Sequence, residues 1–232
     1  MIRHSQRGTT LAEVLVAMAL MAILVASVVS LVRPTFSIYQ KYWSRETART
    51  IAQAVLDQLR GELLDAQGFL CLVPAGEDPD LVFSEGENPA QGSALFFQST
   101  AGTLVLLDAG AVEQTALQAP QSDEGIVGPL TAGTLHRREF LREESGQWQT
   151  GEPDARQAWS CVELLPQTFY EDNTITLNFS VASSEEDLAQ EGLLRVWALT
   201  AEAIVWRDGR VVAQCATVIP LPKKPMLWQR ET

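Results

Sequence analysis

From position 11 to position 32 the chain reads LAEVLVAMALMAILVASVVSLV, 22 residues with a single charge, Glu13. The run is apolar on every side. As a helix it would extend roughly 33 Å at about 1.5 Å per residue, enough to cross the hydrocarbon core of a bilayer. After Pro34 the pattern changes. Ala48, Ile51, Ala52, Val55, Leu56, Leu59 and Leu63 recur at three- and four-residue steps, while Glu46, Gln53, Asp57 and Arg60 fall on the other side. This spacing predicts a helix with one buried face, and Gly68 is placed to terminate it.

Beyond Gly68 the pattern becomes one of strands and loops. At 174–181, Ile175, Leu177, Phe179 and Val181 alternate with Thr176, Asn178 and Ser180, which predicts a strand with one buried face. The pair Asp208-Gly209 separates two apolar runs and tolerates positive φ, so antiparallel strands are expected at 193–207 and 210–219 around a two-residue turn. Shorter strands are expected at 69–73, 81–83, 94–98, 103–107, 136–142 and 160–165. Acidic stretches with Gly and Pro at 74–92, 118–134 and 144–157 read as surface loops. The expected fold class is α+β, a long N-terminal helix packed on a C-terminal antiparallel β-sheet domain. The end of the chain, PLPKKPMLWQRET, holds three prolines and is expected to run extended along the surface or to be disordered.

The formal net charge is −12, from 17 basic and 29 acidic residues. Among the cations after Arg33, only Arg137-Arg138 and Lys223-Lys224 are adjacent pairs, so direct nucleic-acid binding through clustered cations is not expected. Cys71, Cys161 and Cys215 are too few for a disulfide framework and show no CxxC spacing. If the domain lies outside the membrane, Cys161 with Cys215 is the pair to test, and three buried free thiols explain the count equally well.

Arg3, His4 and Arg7 precede the apolar run, so the positive-inside rule places the first residues in the cytoplasm and everything after Arg33 across the membrane. A secretory signal peptide has an apolar core of about 7–15 residues, and this run is too long for one. Glu13 stands out. A carboxylate near the centre of a spanning segment costs about 2.5–3.5 kcal/mol, less toward an end, so Glu13 either snorkels to the interface or has a partner.

Residues 7–24, RGTTLAEVLVAMALMAIL, resemble the prepilin signature of type IV pilins and of the pseudopilins of type II secretion. The resemblance covers about residues 1–34. It implies that a prepilin peptidase cuts after Gly8, that Thr9 becomes an N-methylated amino terminus, and that Glu13 is the glutamate at the fifth mature position. Removing residues 1–8 takes away Arg3 and Arg7, leaving 15 basic against 29 acidic residues, a net −14. The resemblance also implies that Glu13 of an incoming subunit pairs with the amino terminus of its neighbour, which offsets the burial of both charges. A carboxylate in the first helical turn suits the helix dipole too, for at most about 1 kcal/mol. Two departures are visible: Thr9 stands where the family most often has Phe, and the first proline, Pro34, follows the apolar stretch instead of interrupting it.

The organisation this implies is a basic leader at 1–8, a transmembrane and filament-core helix at 9–33, and an amphipathic helix at 34–67. A mostly β domain at 68–222 and a tail at 223–232 follow. The implied partners are other pilin-like subunits, prepilin peptidase, an inner-membrane assembly platform and membrane lipid. The implied location is the cytoplasmic membrane, then a filament at the surface or in the periplasm of a pilus, competence or secretion system. The alternative is a signal-anchored extracytoplasmic binding domain that never polymerises.

No catalytic chemistry is legible. The histidines are His4, in the leader, and His136, expected on a strand surface beside two arginines. There is no HExxH, no GxSxG, no Gly-rich phosphate loop and no metal-ligand spacing, so neither cofactor nor metal is expected. Glu77-Asp78-Asp80, Glu85-Glu87, Glu143-Glu144 and Glu185-Glu186-Asp187 read as solvated loop charges. The six tryptophans read as packing residues and not as a sugar platform.

Overall fold

The structure is a computed structural model, and it describes residues 11–74, 91–109, 132–140, 160–186 and 194–227. The chain divides into two compact units, residues 1–46 and residues 47–232. Helix α1 covers Leu11–Leu63, and Pro34 lies inside it. Proline has no N–H to give the helix. Around it the hydroxyls of Ser27, Ser30, Thr35 and Ser37 turn back to carbonyl oxygens of Ile23, Ser27, Leu31 and Pro34, at 2.7–2.9 Å. These side chains are thereby satisfied by the helix itself.

In the first unit every described side chain from 11 to 43 is exposed. In the second, Ala48, Ile51, Ala52, Val55, Leu56, Leu59 and Leu63 are buried, as the three- and four-residue spacing predicts. Gln53, Asp57 and Arg60 are exposed. The helix stops at Leu63, and strand β1, Ala66–Val73, begins after two turn residues. Gly68 is therefore not the helix terminator. It lies within β1 at φ +70, where the register shifts between Gln67 and Leu70, and a Cβ there would collide with the Gln98 side chain.

The remaining elements are β2 (Gln91–Gly92), β3 (Ala94–Ser99), β4 (Leu104–Asp108), β5 (His136–Phe140) and β6 (Ser160–Glu163). They continue with the single helical turn α2 (Gln167–Tyr170), β7 (Thr174–Glu186), β8 (Leu194–Arg207), β9 (Arg210–Pro220) and β10 (Met226–Leu227). The strand expected at 81–83 falls outside the described residues, and the sequence pattern did not announce β2, α2 or β10.

The ten strands among the described residues belong to one sheet, in the order β2-β7-β8-β10-β1-β3-β4-β5-β6, with β9 on β8. The expectation of an antiparallel sheet needs one correction, because β1 and β10 run parallel. Strands β8 and β9 form the expected hairpin: Arg207 pairs with Arg210, and Asp208 and Gly209 both have positive φ. Past Pro220 the chain stays along the same strand. Leu221 N–H donates to Trp197 O at 2.7 Å, Val196 N–H donates to Pro225 O at 2.9 Å, and Met226 stands opposite Arg195. On its other side Met226 stands opposite Phe69. Of the segment expected to run extended along the surface or to be disordered, Met226 and Leu227 instead pair inside the sheet with Leu227 buried, and residues 228–232 lie outside the described residues.

The pairings also close a circuit. β2 pairs with β7, and β3, only Ser93 further on, pairs with β1. From β1 the circuit runs through β10 and β8 back to β7.

The main core gathers the buried helix residues with Leu70, Leu72, Leu95, Phe97, Val105 and Leu107, and with the inward residues of β7 and β8. A second buried cluster, Phe69, Cys71, Val73, Ala94, Phe96, Leu104 and Leu106, uses the alternate positions of β1, β3 and β4. These three strands are buried on both faces, which is why they read as unbroken apolar runs and not as an alternation. By contrast, β7 buries Ile175, Leu177 and Phe179 and exposes Thr176 and Asn178.

Candidate functional site

The first constellation is the N-terminal segment. Gly8 and Thr9 lie outside the described residues. Glu13 is in the first turn of α1 and exposed. Around and after it the helix presents apolar side chains in every direction: Leu15 is 59% exposed, Met18 65%, Ile23 63% and Leu31 71%. Leucine, alanine and methionine favour the helix and its backbone groups bond to one another, but water is a poor solvent for so apolar a surface. By length and composition α1 can cross a membrane. Glu13 is the one charge in the apolar run and lies in the first described turn of the helix.

The second constellation lies in the β domain, and sequence reasoning missed it. His136, expected on a strand surface, is fully buried. The reason is register. β5 is sandwiched between β4 and β6, and its alternate residues His136 and Arg138 share a face with Asp108 of β4. His136 Nδ1 faces Asp108 Oδ1 at 3.4 Å, and Arg138 Nη2 faces Asp108 Oδ2 at 3.2 Å. The Thr134 hydroxyl and His136 Nε2 are hydrogen-bonded at 2.8 Å, and the same hydroxyl is 3.2 Å from Glu163 Oε1.

Nearby, the Tyr170 oxygen accepts the Leu135 N–H at 3.0 Å, and burial pushes its phenol up to about 12. A hydroxyl, an imidazole and a carboxylate in series have the order of a nucleophile relay. Here, however, Thr134 is 3% exposed and His136 and Asp108 are fully buried. The cluster compensates charge inside the sheet and offers no hydroxyl to a substrate. On the outer part of the same strand Arg137 pairs with Glu62 at 2.7 Å and with Glu139 at 2.6 Å, linking β5 to the helix.

The thiols are separate from both constellations. Cys71 is buried in β1, where burial pushes it up to about 12, and Cys215 is half-buried in β9. Both are free in this structure, and the side chain of Cys161, the partner considered for Cys215, lies outside the described residues. Cys161 lies on β6, paired with Arg138 of β5, while β9 pairs with β8. Of the acidic clusters, only Glu185 has a described side chain, and it is exposed in β7. Among the described residues no three His, Cys, Asp or Glu side chains converge to hold a metal ion.

No curated protein and no solved structure matches the chain. Residues 3–29, which include Gly8, Thr9, Glu13 and most of the apolar run, match the family model described as the prokaryotic N-terminal methylation motif, the type IV pilin-like signature.

Proposed function

We propose that the chain is a structural subunit, a minor pilin or pseudopilin, of a type IV pilus or a type II secretion-like filament. Prepilin peptidase removes residues 1–8 after Gly8, and the amine of Thr9 becomes the methylated amino terminus. The apolar part of α1 holds the subunit in the cytoplasmic membrane with its amino terminus inside, then packs against other pilin-like subunits as an assembly platform moves it into a filament. Glu13 supplies the counter-charge for the amino terminus of a neighbouring subunit, where an unpaired charge in an apolar core would be costly. The observation that carries this reading is the coincidence of the N-terminal methylation motif with a helical segment, residues 11–43, whose apolar residues are exposed on all sides.

The test is intact mass and N-terminal sequencing of the full chain from membranes of a host with prepilin peptidase and of a peptidase-deficient control. A chain beginning at Thr9 only where the peptidase is present supports the reading. A chain beginning at Met1 in both hosts overturns it in favour of a signal-anchored extracytoplasmic domain. Glu13→Val separates assembly from anchoring: filament incorporation is lost and membrane insertion is kept.

A further inference from the structure

We infer that residues 33–45 of α1 form a second, chemically distinct membrane contact, an aromatic and basic collar that seats in the anionic headgroup layer of the outer leaflet. The inference rests on the membrane reading above but is not contained in it. The apolar run ends at Val32, after roughly the thickness of a hydrocarbon core, so the next turns of helix emerge at the level of the headgroups. There the composition changes sharply. Phe36, Tyr39, Tyr42 and Trp43 are exposed by 60%, 58%, 65% and 61%, and Tyr39 and Trp43 stack with ring centroids 6.2 Å apart. Tyrosine and tryptophan favour this depth because an apolar ring and a polar tip can each find their own solvent.

The helical spacing sorts these residues. Phe36, Tyr39 and Trp43 follow one another at three and four positions, with Ile38 and Tyr42 adjoining them, to make one arc. Arg33, Lys41 and Arg45, all exposed, fall in the remaining arc. An aromatic face beside a basic face is the arrangement of a helix segment held at a membrane surface.

Charge selects lipid over another copy of the same segment. Between Glu13 and Glu46 the sequence has three cations and no Asp or Glu. Packing this segment against itself would bring like charges together, whereas anionic headgroups supply the missing sign. It is also the most basic stretch of a chain that is otherwise acidic.

The test uses the full chain reconstituted in vesicles of phosphatidylethanolamine and phosphatidylglycerol at about three to one. Trp43 emission is obtained as the difference between the unaltered protein and Trp43→Phe. It is measured with lipids brominated either close to the headgroup or close to the acyl-chain end. The expected result is quenching about twofold stronger by the shallow bromines. A triple change, Arg33→Gln with Lys41→Gln and Arg45→Gln, is expected to remove the dependence of that quenching on phosphatidylglycerol. Leu20→Trp reports on the spanning segment itself. If the new tryptophan is quenched by deep bromines while Trp43 is quenched by neither, the collar is overturned and the membrane reading stands. If neither position is quenched, both fail. Deep quenching of Trp43, or shallow quenching identical in vesicles without phosphatidylglycerol, also overturns the proposal.

Discussion

Arg138 Nη2 lies 3.2 Å from Asp108 Oδ2 across β4 and β5, and both side chains are sealed from solvent. Breaking such a pair from one side leaves a charge buried without its partner, at about 3–5 kcal/mol. Asp108→Ala and Arg138→Met are each expected to destabilise the domain by that order. The double variant is expected to lose clearly less than the sum. Denaturant unfolding of the full chain in detergent measures this, and simple additivity would mean that the two residues do not act as a pair.

Alkali is expected to weaken the domain before it affects the helix. Burial pushes the Tyr170 phenol from its usual 10 up to about 12, and burial pushes the Cys71 thiol from 9 up to about 12. In both cases the neutral form belongs to the folded state. Their contribution is complete below the unfolded values and is lost as pH rises toward 12. For Tyr170 the loss is of the order of 2 kcal/mol. Tyr170→Phe is expected to be less stable at neutral pH by about 1–2 kcal/mol, because the Leu135 N–H loses its acceptor. It is also expected to show a shallower decline above pH 10. An unchanged slope would remove Tyr170 from the account.

The same burial makes the thiols unequal. In a Cys161→Ser background, a maleimide at neutral pH is expected to modify half-buried Cys215 well before Cys71. Mass spectrometry of the labelled chain reads the order directly, and faster labelling of Cys71 would show that β1 opens locally.

Met226 and Leu227 join two parts of the sheet, and Leu227 belongs to the main core. Leu227→Ala is expected to cost about 2–3 kcal/mol. Val218→Ala, at a side chain 55% exposed on β9, is expected to stay within about 0.5 kcal/mol. Ending the chain at Pro225 is expected to lower the melting temperature by about 6–12 °C. An equal effect of the two point changes would contradict the buried role of β10.

What could be read in the sequence was whatever local chemistry determines. The seven buried positions of α1 follow from helical spacing, the β7 strand from alternation, and the β8–β9 hairpin from Asp208-Gly209. Glu13 stood out because a lone carboxylate in an apolar run is expensive. What stayed hidden depends on partners distant in sequence. His136 and Arg138 read as surface residues because charge on a short strand usually faces water, and only the β4–β5–β6 register shows otherwise. Gly68 read as a helix terminator because its positive φ suits that role as well as a bulge in β1. Two residues of β10 carry no pattern at all. Their place is fixed by β1 and β8 on either side.

Strand β10 follows the other described strands in chain order, yet it closes a circuit that includes β1, the first of them. The circuit therefore stays open in any nascent chain that has not yet reached Met226. Until then the facing edges of β1 and β8 are open to strands of other molecules, which makes that interval a period of risk from aggregation and proteolysis. A polypeptide interrupted before Met226 keeps the β8–β9 hairpin and still lacks the clasp, so β10 acts as a checkpoint that the sheet must pass after its other strands are made.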